Sequence, residues 1–109
     1  MTPGPKLVYE ELVMKEKHIE MRRLSDGAVY RFLPAPPGED GLPRYKREDK
    51  DIWILRDPRF GWIVWDAGDQ ALMGRPWDVA LDDQGAAPPQ TDWVSRKGAN
   101  SFVYRLVVV

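Results

Sequence analysis

The segment that most constrains the fold of this chain spans residues 52–66 and reads IWILRDPRFGWIVWD. Two runs of branched and aromatic residues, which favour β-strands, flank the segment Asp57-Pro58-Arg59-Phe60-Gly61. Asp followed by Pro suits the first positions of a type I turn, and Gly61 can adopt the positive φ that closes a hairpin. The segment therefore predicts a β-hairpin.

Both faces of this predicted hairpin carry large apolar side chains. Because successive residues of a strand point to opposite faces, Trp62 and Trp65 are expected on different sides of one strand. Such a hairpin is either covered on both faces, or it packs one face on the core and leaves aromatic side chains exposed on the other. The pattern therefore predicts a central hairpin that is also a candidate for binding.

The N-terminal part of the chain has two further strand-like regions. Apolar and charged residues alternate over 19–22, Ser25-Asp26-Gly27 is typical of a turn, and alternation resumes over 29–32, which together predict a second hairpin. Residues 7–16 suit a helix or a strand, and their branched and aromatic content favours the strand. Residues 1–5 hold two prolines and a glycine and are expected to form a flexible leader.

The middle of the chain is rich in residues that interrupt regular structure. Residues 34–43 contain four prolines and two glycines, which predicts a surface loop without ladder hydrogen bonds. A polar stretch of alternating charge follows at residues 46–51. Glycine and proline also interrupt residues 67–92, where we expect a single short strand or helical turn.

The C-terminal part returns to a strand-like pattern. A strand is expected to begin at Trp93, a turn at residues 97–100, and a final buried strand at residues 101–109, which end in an apolar run. The whole pattern predicts an all-β fold, with residues 6–109 forming one domain. We expect a single antiparallel sheet of six to eight strands, curved or closed into a small barrel or sandwich.

Composition excludes several classes of function. The 16 Lys and Arg residues nearly balance the 17 Asp and Glu residues, so no global field attracts nucleic acid or anionic lipid. The chain has no cysteine, which removes disulfides, thiolate nucleophiles and cysteine-based metal sites. No signal peptide or membrane-spanning run is evident, so cytoplasmic localisation is favoured if the chain is full length.

The residues that catalysis requires do not form a recognisable motif. His18 is the one histidine, and no nucleophile or orienting carboxylate surrounds it in a known pattern. The aspartates between Asp66 and Asp83 lack the spacing of a calcium loop, and turn chemistry accounts for most of them. Phosphate-binding loops and nucleophile elbows are absent from the sequence. We therefore expect no catalytic residue, no metal site and no cofactor.

Aromatic residues supply the positive evidence for binding. Five tryptophans occur in 109 residues. An indole can fill a small core or form a flat platform for a sugar ring, a proline or an apolar side chain, and we expect at least one of the five to be exposed. The candidate ligand-binding residues are Trp53, Trp62, Trp65, Trp77, Trp93 and Tyr45.

Five short motifs occur in the order of a small eukaryotic β module that reads Gly-x-Pro-x-Tyr, an apolar strand, Trp-x-Ile or Val, and a late Pro-Pro before Gly-Trp. They are Gly41-Leu42-Pro43-Arg44-Tyr45, Ile52-Trp53-Ile54, Trp62-Ile63-Val64, Pro88-Pro89 and Asp92-Trp93, with Asp92 in place of the glycine. Residues 18–94 thus resemble this module. The resemblance implies an all-β fold within larger or multi-copy proteins and no catalytic residue.

The function most consistent with these patterns is noncatalytic binding. The first hypothesis is recognition of a protein partner through aromatic residues exposed around the proline-rich loop and the hairpin. The second is carbohydrate binding, in which each indole stacks on a sugar ring. The third is an enzyme on a small barrel that uses Asp66, Asp69 or His18, which requires that at least two of these converge in one pocket.

Overall fold

A computed structural model describes residues 17–109 of the chain. The leader predicted at residues 1–5 and the strand favoured at residues 7–16 lie outside the described residues. The described part contains eight strands and, between the sixth and seventh, a short 3-10 helix at Leu81–Asp83. The strands are β1 Ile19–Arg23, β2 Val29–Ala35, β3 Arg44–Arg47, β4 Ile52–Asp57, β5 Gly61–Asp66, β6 Ala71–Pro76, β7 Asp92–Lys97 and β8 Asn100–Val108.

The eight strands form a closed antiparallel barrel. Each strand pairs with the next along the chain, and β1 also pairs with β8, which closes the sheet. Closure gives every described strand a neighbour on both sides. The all-β prediction is thus confirmed, and of the architectures expected from the sequence the molecule adopts the barrel.

The hairpin predicted at residues 52–66 is confirmed. Strands β4 and β5 pair with Trp53 opposite Trp65 and Ile54 opposite Val64. Gly61 has a φ of 79°. The Asp57 carboxylate accepts hydrogen bonds from the backbone N–H groups of the turn at positions 59 and 60, which is how an aspartate favours such a turn.

The hairpin predicted around residues 25–27 is also confirmed as β1 and β2, with Gly27 at a φ of 75°. The expectation of a buried final strand is wrong in part. Leu106 of β8 is fully buried, but Val103 on the same strand is exposed. A barrel strand has one face in the core and one in solvent, so the apolar run at the end of the chain does not mark a strand that is covered on both faces.

Two regions predicted as loops contain strands. Strand β2 continues through Pro34 and Ala35, which pair with Tyr45 and Arg44 of β3, and β3 itself lies partly in the polar stretch. Pairing partners on both sides impose strand structure on β3 although its composition does not favour it. Residues 67–92 contain both a strand, β6, and the 3-10 helix, where a single short element was expected.

Consecutive antiparallel pairing places alternate connections at opposite ends of the barrel. The turns that join β1 to β2, β3 to β4, β5 to β6 and β7 to β8 share one end, which we call the open end. The other three connections share the closed end, where residues 18 and 109 also pair through their backbones. The proline-rich loop and the β4–β5 turn therefore lie at the closed end.

The side chains inside the barrel change in character from the closed end to the open end, because the strands are staggered. Paired residues form rows that are tilted to the barrel axis, as closure of a barrel requires. Two of these rows begin at a fully buried aliphatic side chain near the closed end and finish at a polar or aromatic side chain near the open end. One row consists of Ile19, Phe32 and Arg47, and the other consists of Leu106, Met21 and Tyr30.

The long β6–β7 connection seals the closed end. We call residues 77–91 the capping segment. The indole N–H of Trp62 donates to the carbonyl of Gly85 at 3.0 Å, and that of Trp93 donates to the carbonyl of Pro89 at 3.0 Å. The Gln84 side chain accepts the backbone N–H of Trp62 at 2.8 Å. Backbone and side-chain groups of the capping segment thus satisfy the polar atoms of both buried tryptophans.

Candidate functional site

The open end of the barrel contains a cavity of about 590 Å³, which we call the cup. Its floor is apolar because inward-pointing residues of the middle layer form it. The volume lies within the range of small-molecule sites, roughly 300–1,000 Å³. The floor residues are Met21, Phe32, Ile52, Val64 and Met73.

One wall of the cup is built from arginines stacked on aromatic rings. The Arg47 guanidinium lies 4.3 Å from the centroid of the Tyr30 ring. The Arg23 guanidinium lies 5.7 Å from the same ring and 5.4 Å from the Phe102 ring. The rings of Tyr30 and Tyr104 are 6.0 Å apart. Alternating cations and rings form an ordered wall on strands β8, β1, β2 and β3.

Carboxylates from the open-end turns hold these arginines in place. Arg23 donates from Nε and Nη2 to the two oxygens of Asp26, at 2.9 and 2.8 Å. Arg47 makes the same bidentate contact with Asp49, at 2.6 and 3.0 Å. The Arg23 hydrogen bonds, helped by the N–H of Ala28, lower the pKa of Asp26 to about 2, and Arg47 lowers the pKa of Asp49. Both guanidiniums are therefore fixed and largely neutralised.

The opposite wall is smaller and acidic. Asp66 stands opposite Ile52 in the β4–β5 register and lines the cup half-buried, and Asp69 lines it at the rim. Asp66 Oδ1 accepts the backbone N–H of Asp69 at 3.0 Å. Among the described residues neither carboxylate forms an ion pair. The small residues Ala71 and Ser95 complete this side, so it leaves more room than the arginine wall.

Of the three residues considered for catalysis, two lie at the open end of the barrel and one lies at the closed end. Asp66 and Asp69 both line the cup. His18 lies at the closed end, where its backbone pairs with Val109 and its imidazole is 3.8 Å from the Glu20 carboxylate. The hydrogen bond between Asp66 and the Asp69 backbone is a turn contact, so the convergence of these two aspartates has a local structural reason. Within residues 17–109 no three His, Asp or Glu side chains are grouped to hold a metal ion.

Two of the predicted ligand-binding residues belong to the core instead. Trp62 and Trp93 are 0% exposed, and the capping segment binds the N–H of each indole. No face of either ring is accessible to a ligand, and their assignment as ligand-binding residues is corrected accordingly. Tyr45 also points inward, opposite Pro34 and Ile54, and packs half-buried against the core.

Trp53 and Trp65 form an outward-facing pair on the central hairpin. Both are half-buried, and they stand opposite each other in the β4–β5 register. The Arg44 guanidinium lies 5.0 Å from the Trp53 ring, and the Trp53 indole N–H donates to Asp51 at 2.8 Å. Arg44 therefore occupies the surface on which a sugar ring would stack on Trp53.

Trp77 confirms the expectation of at least one exposed indole, since it is 64% exposed. It lies in the capping segment at the closed end, apart from the Trp53 and Trp65 pair on the side of the barrel. The structure therefore does not bring the six predicted residues together into one site.

The outward pair is the middle of a longer row that crosses five strands. The row begins at Leu33 and ends at Leu72, which are 42% and 41% exposed. Because each member is the register partner of the next, the side chains are contiguous on the outside of the barrel. The outer row consists of Leu33, Lys46, Trp53, Trp65 and Leu72.

The cup itself was not predicted from the sequence. In the sequence, the cup corresponds to the inward-pointing residues beside the open-end turns, such as Arg23 before the β1–β2 turn and Tyr30 after it. Finding that set requires the strand order and the closure of the barrel, since both residues look like ordinary members of a solvated strand face.

The chain was also compared with known proteins. No family model, curated protein or solved structure matches it. Within the described part, no helix is long and apolar enough to cross a membrane.

Proposed function

We propose that this protein is a noncatalytic binding module and that its ligand is a small molecule held in the cup. The observation that supports this most is the cavity of about 590 Å³ with an apolar floor and a polar rim at the open end of the barrel, whose other end the capping segment covers. Eight-stranded barrels have an interior of the size that holds one small ligand. Convergent polar groups around an apolar pocket are typical of such sites.

The arrangement of the wall supports binding over catalysis. Bidentate pairing immobilises Arg23 and Arg47, which suits a preorganised surface and leaves neither side chain available as a mobile acid or base. Among the described residues that line the cup, Ser95 is the one hydroxyl of the serine or threonine type, and the one histidine lies at the opposite end. A nucleophile with its activating base is therefore not assembled there.

The test is to fill the cup. Fragments would be screened by ligand-observed NMR against the full chain and against Met73→Trp, which adds bulk at the floor. Val103→Trp is the matched control because Val103 is exposed on the outside of β8. We expect fragments that bind the wild type and the control to lose binding to Met73→Trp.

A second variant that adds bulk to the cup keeps this test decisive if Met73→Trp fails to fold. Ala71 lines the cup but is exposed, so Ala71→Trp narrows the mouth without disturbing the floor. Fragments that bind wild type, Met73→Trp and Ala71→Trp equally would overturn the proposal, as would a screen in which no fragment binds.

The outer row supports a second candidate, which is recognition of a protein segment. Leu33, Trp53, Trp65 and Leu72 offer aromatic and aliphatic surface of the kind found at the centre of protein interfaces, with Lys46 among them. Stacking of sugar rings on the indoles has less support, since Arg44 covers Trp53 and two indoles are buried.

This second candidate is tested with a displayed peptide library. The library would be selected on wild type, on Leu33→Glu, which lies outside the cup, and on the control Val103→Glu, which alters an exposed outward residue of β8 instead. We expect wild type and the control to enrich the same apolar peptides, and Leu33→Glu to lose them. Equal enrichment on all three proteins would exclude the outer row as a peptide site.

A further inference from the structure

We infer that the cup selects an uncharged amphipathic molecule, with an apolar body on the floor and a hydroxyl or amide N–H directed at Asp66. This inference rests on the proposed function and specifies the chemistry of its ligand.

The floor determines the body of the ligand. Met21, Phe32, Ile52 and Val64 are nearly fully buried within the barrel, and Met73 is half-buried beside them. They present aliphatic, thioether and ring surface with no polar side-chain atom other than sulfur. Placing a charged or strongly hydrated group against such a surface costs free energy, whereas covering it with apolar atoms removes apolar surface from water and is favourable. The deep part of the ligand is therefore apolar.

The arginine wall does not favour an anion. Binding of a carboxylate or phosphate by arginine uses the same pairs of N–H groups that Arg23 and Arg47 already donate to Asp26 and Asp49. An anionic ligand that binds either arginine in this bidentate way would have to displace one of these internal carboxylates. The other cations that line the cup, Lys50 and Arg96, are exposed at the rim, where water and salt screen their charge.

The acidic wall favours a hydrogen-bond donor. Asp66 lines the cup, is half-buried, and has its Oδ1 bound to the Asp69 N–H. No described donor other than that N–H binds the carboxylate, so it has acceptor capacity left. A hydrogen bond to a charged acceptor in a partly enclosed site is stronger than one between neutral groups. A ligand O–H or N–H above the floor would make such a bond.

Three probes with one common ring system separate these requirements. They are 2-naphthol, which has an apolar body and a donor; 2-methoxynaphthalene, which has the body without the donor; and 2-naphthoate, which replaces the donor with an anion. Titration calorimetry of the full chain at neutral pH would measure the dissociation constant of each. We expect 2-naphthol to bind tightest, about tenfold more tightly than 2-methoxynaphthalene, and 2-naphthoate to bind most weakly.

The variant Asp66→Asn tests the donor contact directly. It keeps the size of the side chain but removes its charge, so we expect the preference for 2-naphthol over 2-methoxynaphthalene to fall severalfold. Asp82→Asn is the matched control, since Asp82 is exposed in the 3-10 helix at the closed end and does not line the cup. It should leave the preference unchanged.

The possible outcomes distinguish the inference from the proposed function. Binding of 2-naphthoate as tight as that of 2-naphthol, or a preference that survives in Asp66→Asn, overturns the inference and leaves the cup as a binding site. Binding by none of the three probes overturns the inference as well. If the fragment screen also finds no ligand for the cup, the proposed function fails with it.

Discussion

Gly61 is required at the start of β5 for two separate reasons. Its φ of 79° lies in the left-handed region that side chains with a Cβ rarely adopt. A Cβ at this position would also collide with the Gln84 carboxamide oxygen and approach Leu81 Cδ1 to 3.0 Å. The hairpin turn and the capping segment thus meet at a point where only glycine fits.

Gly27 provides a control that separates these two effects. It has a φ of 75°, but a Cβ there would have no atom within 4 Å. Gly27→Ala should therefore cost about 1–2 kcal/mol of unfolding free energy from the backbone alone. We expect Gly61→Ala to cost about 1–3 kcal/mol more, because it also displaces Gln84. Denaturant unfolding of both variants checks this, and equal losses would show that the contact with Gln84 has no energetic role.

Individual residues also show where sequence reasoning reaches its limit. Trp62 and Trp65 were correctly assigned to opposite faces, because side-chain alternation is a local property. Which of them points inward depends on closure of the barrel, and which indole is buried depends on whether a loop supplies an acceptor for its N–H. The carbonyl of Gly85, 23 residues beyond Trp62, does so, and nothing in the local sequence indicates that contact.

Among the strands and turns, those with strong local signals were predictable. The turns at Gly27 and Gly61 carry aspartate and glycine in positions that favour them, and both hairpins formed as expected. Strand β3 was missed because its residues are mostly cationic, and its pairing with β2 and β4 comes from the barrel. The bounds of β2 were missed for the same reason, since Pro34 lies within a ladder at a position where composition predicts a loop.

The β1–β2 turn carries a prediction about acidity. The folded-state pKa of Asp26 is about 2, chiefly because Arg23 donates to its carboxylate, whereas an unfolded aspartate titrates near 3.9. The ion pair therefore stabilises the fold fully above the unfolded pKa, and this stabilisation is lost as the pH falls from about 4 through 2. The difference in unfolding free energy between wild type and Asp26→Asn should shrink over that interval and stay constant from pH 5 to 7.

Chemical denaturation at several pH values measures this difference. The control is the same substitution in an Arg23→Met background, where the partner that lowers the pKa is absent, so the pH dependence should largely disappear. A difference that does not change between pH 5 and pH 2 in the wild-type background would contradict the assigned role of Arg23.

At the scale of the whole molecule, the all-β class followed from the sequence and the site did not. Strand patterns and turn residues predicted an antiparallel sheet, and closure was one of the expected forms. The cup arises only when the eight staggered strands close into a barrel. Its floor comes from β1, β2, β4, β5 and β6, its walls add residues of β3, β7 and β8, and the open-end turns supply the rim. The tryptophan content favoured the β4–β5 hairpin as a binding site, but the inward face of that hairpin is largely core.

The interior of the barrel changes from buried apolar side chains near the closed end to polar and aromatic side chains near the open end. The capping segment closes the first, and Asp26 and Asp49 organise the arginine wall at the second. This division assigns stability to the closed end and ligand binding to the open end. Substitutions at the two ends should therefore affect different measurements.

The most direct test of this account is an NMR titration of the isotope-labelled full chain with 2-naphthol. We predict saturable amide shifts confined to the open end, at Tyr30, Asp66, Ser95 and Tyr104, with none at Leu81 in the capping segment or at Val103 on the outside of β8. No saturable shift at all would overturn the inferred chemistry of the ligand, and saturable shifts centred on the capping segment or on the outer surface would contradict the assignment of ligand binding to the cup.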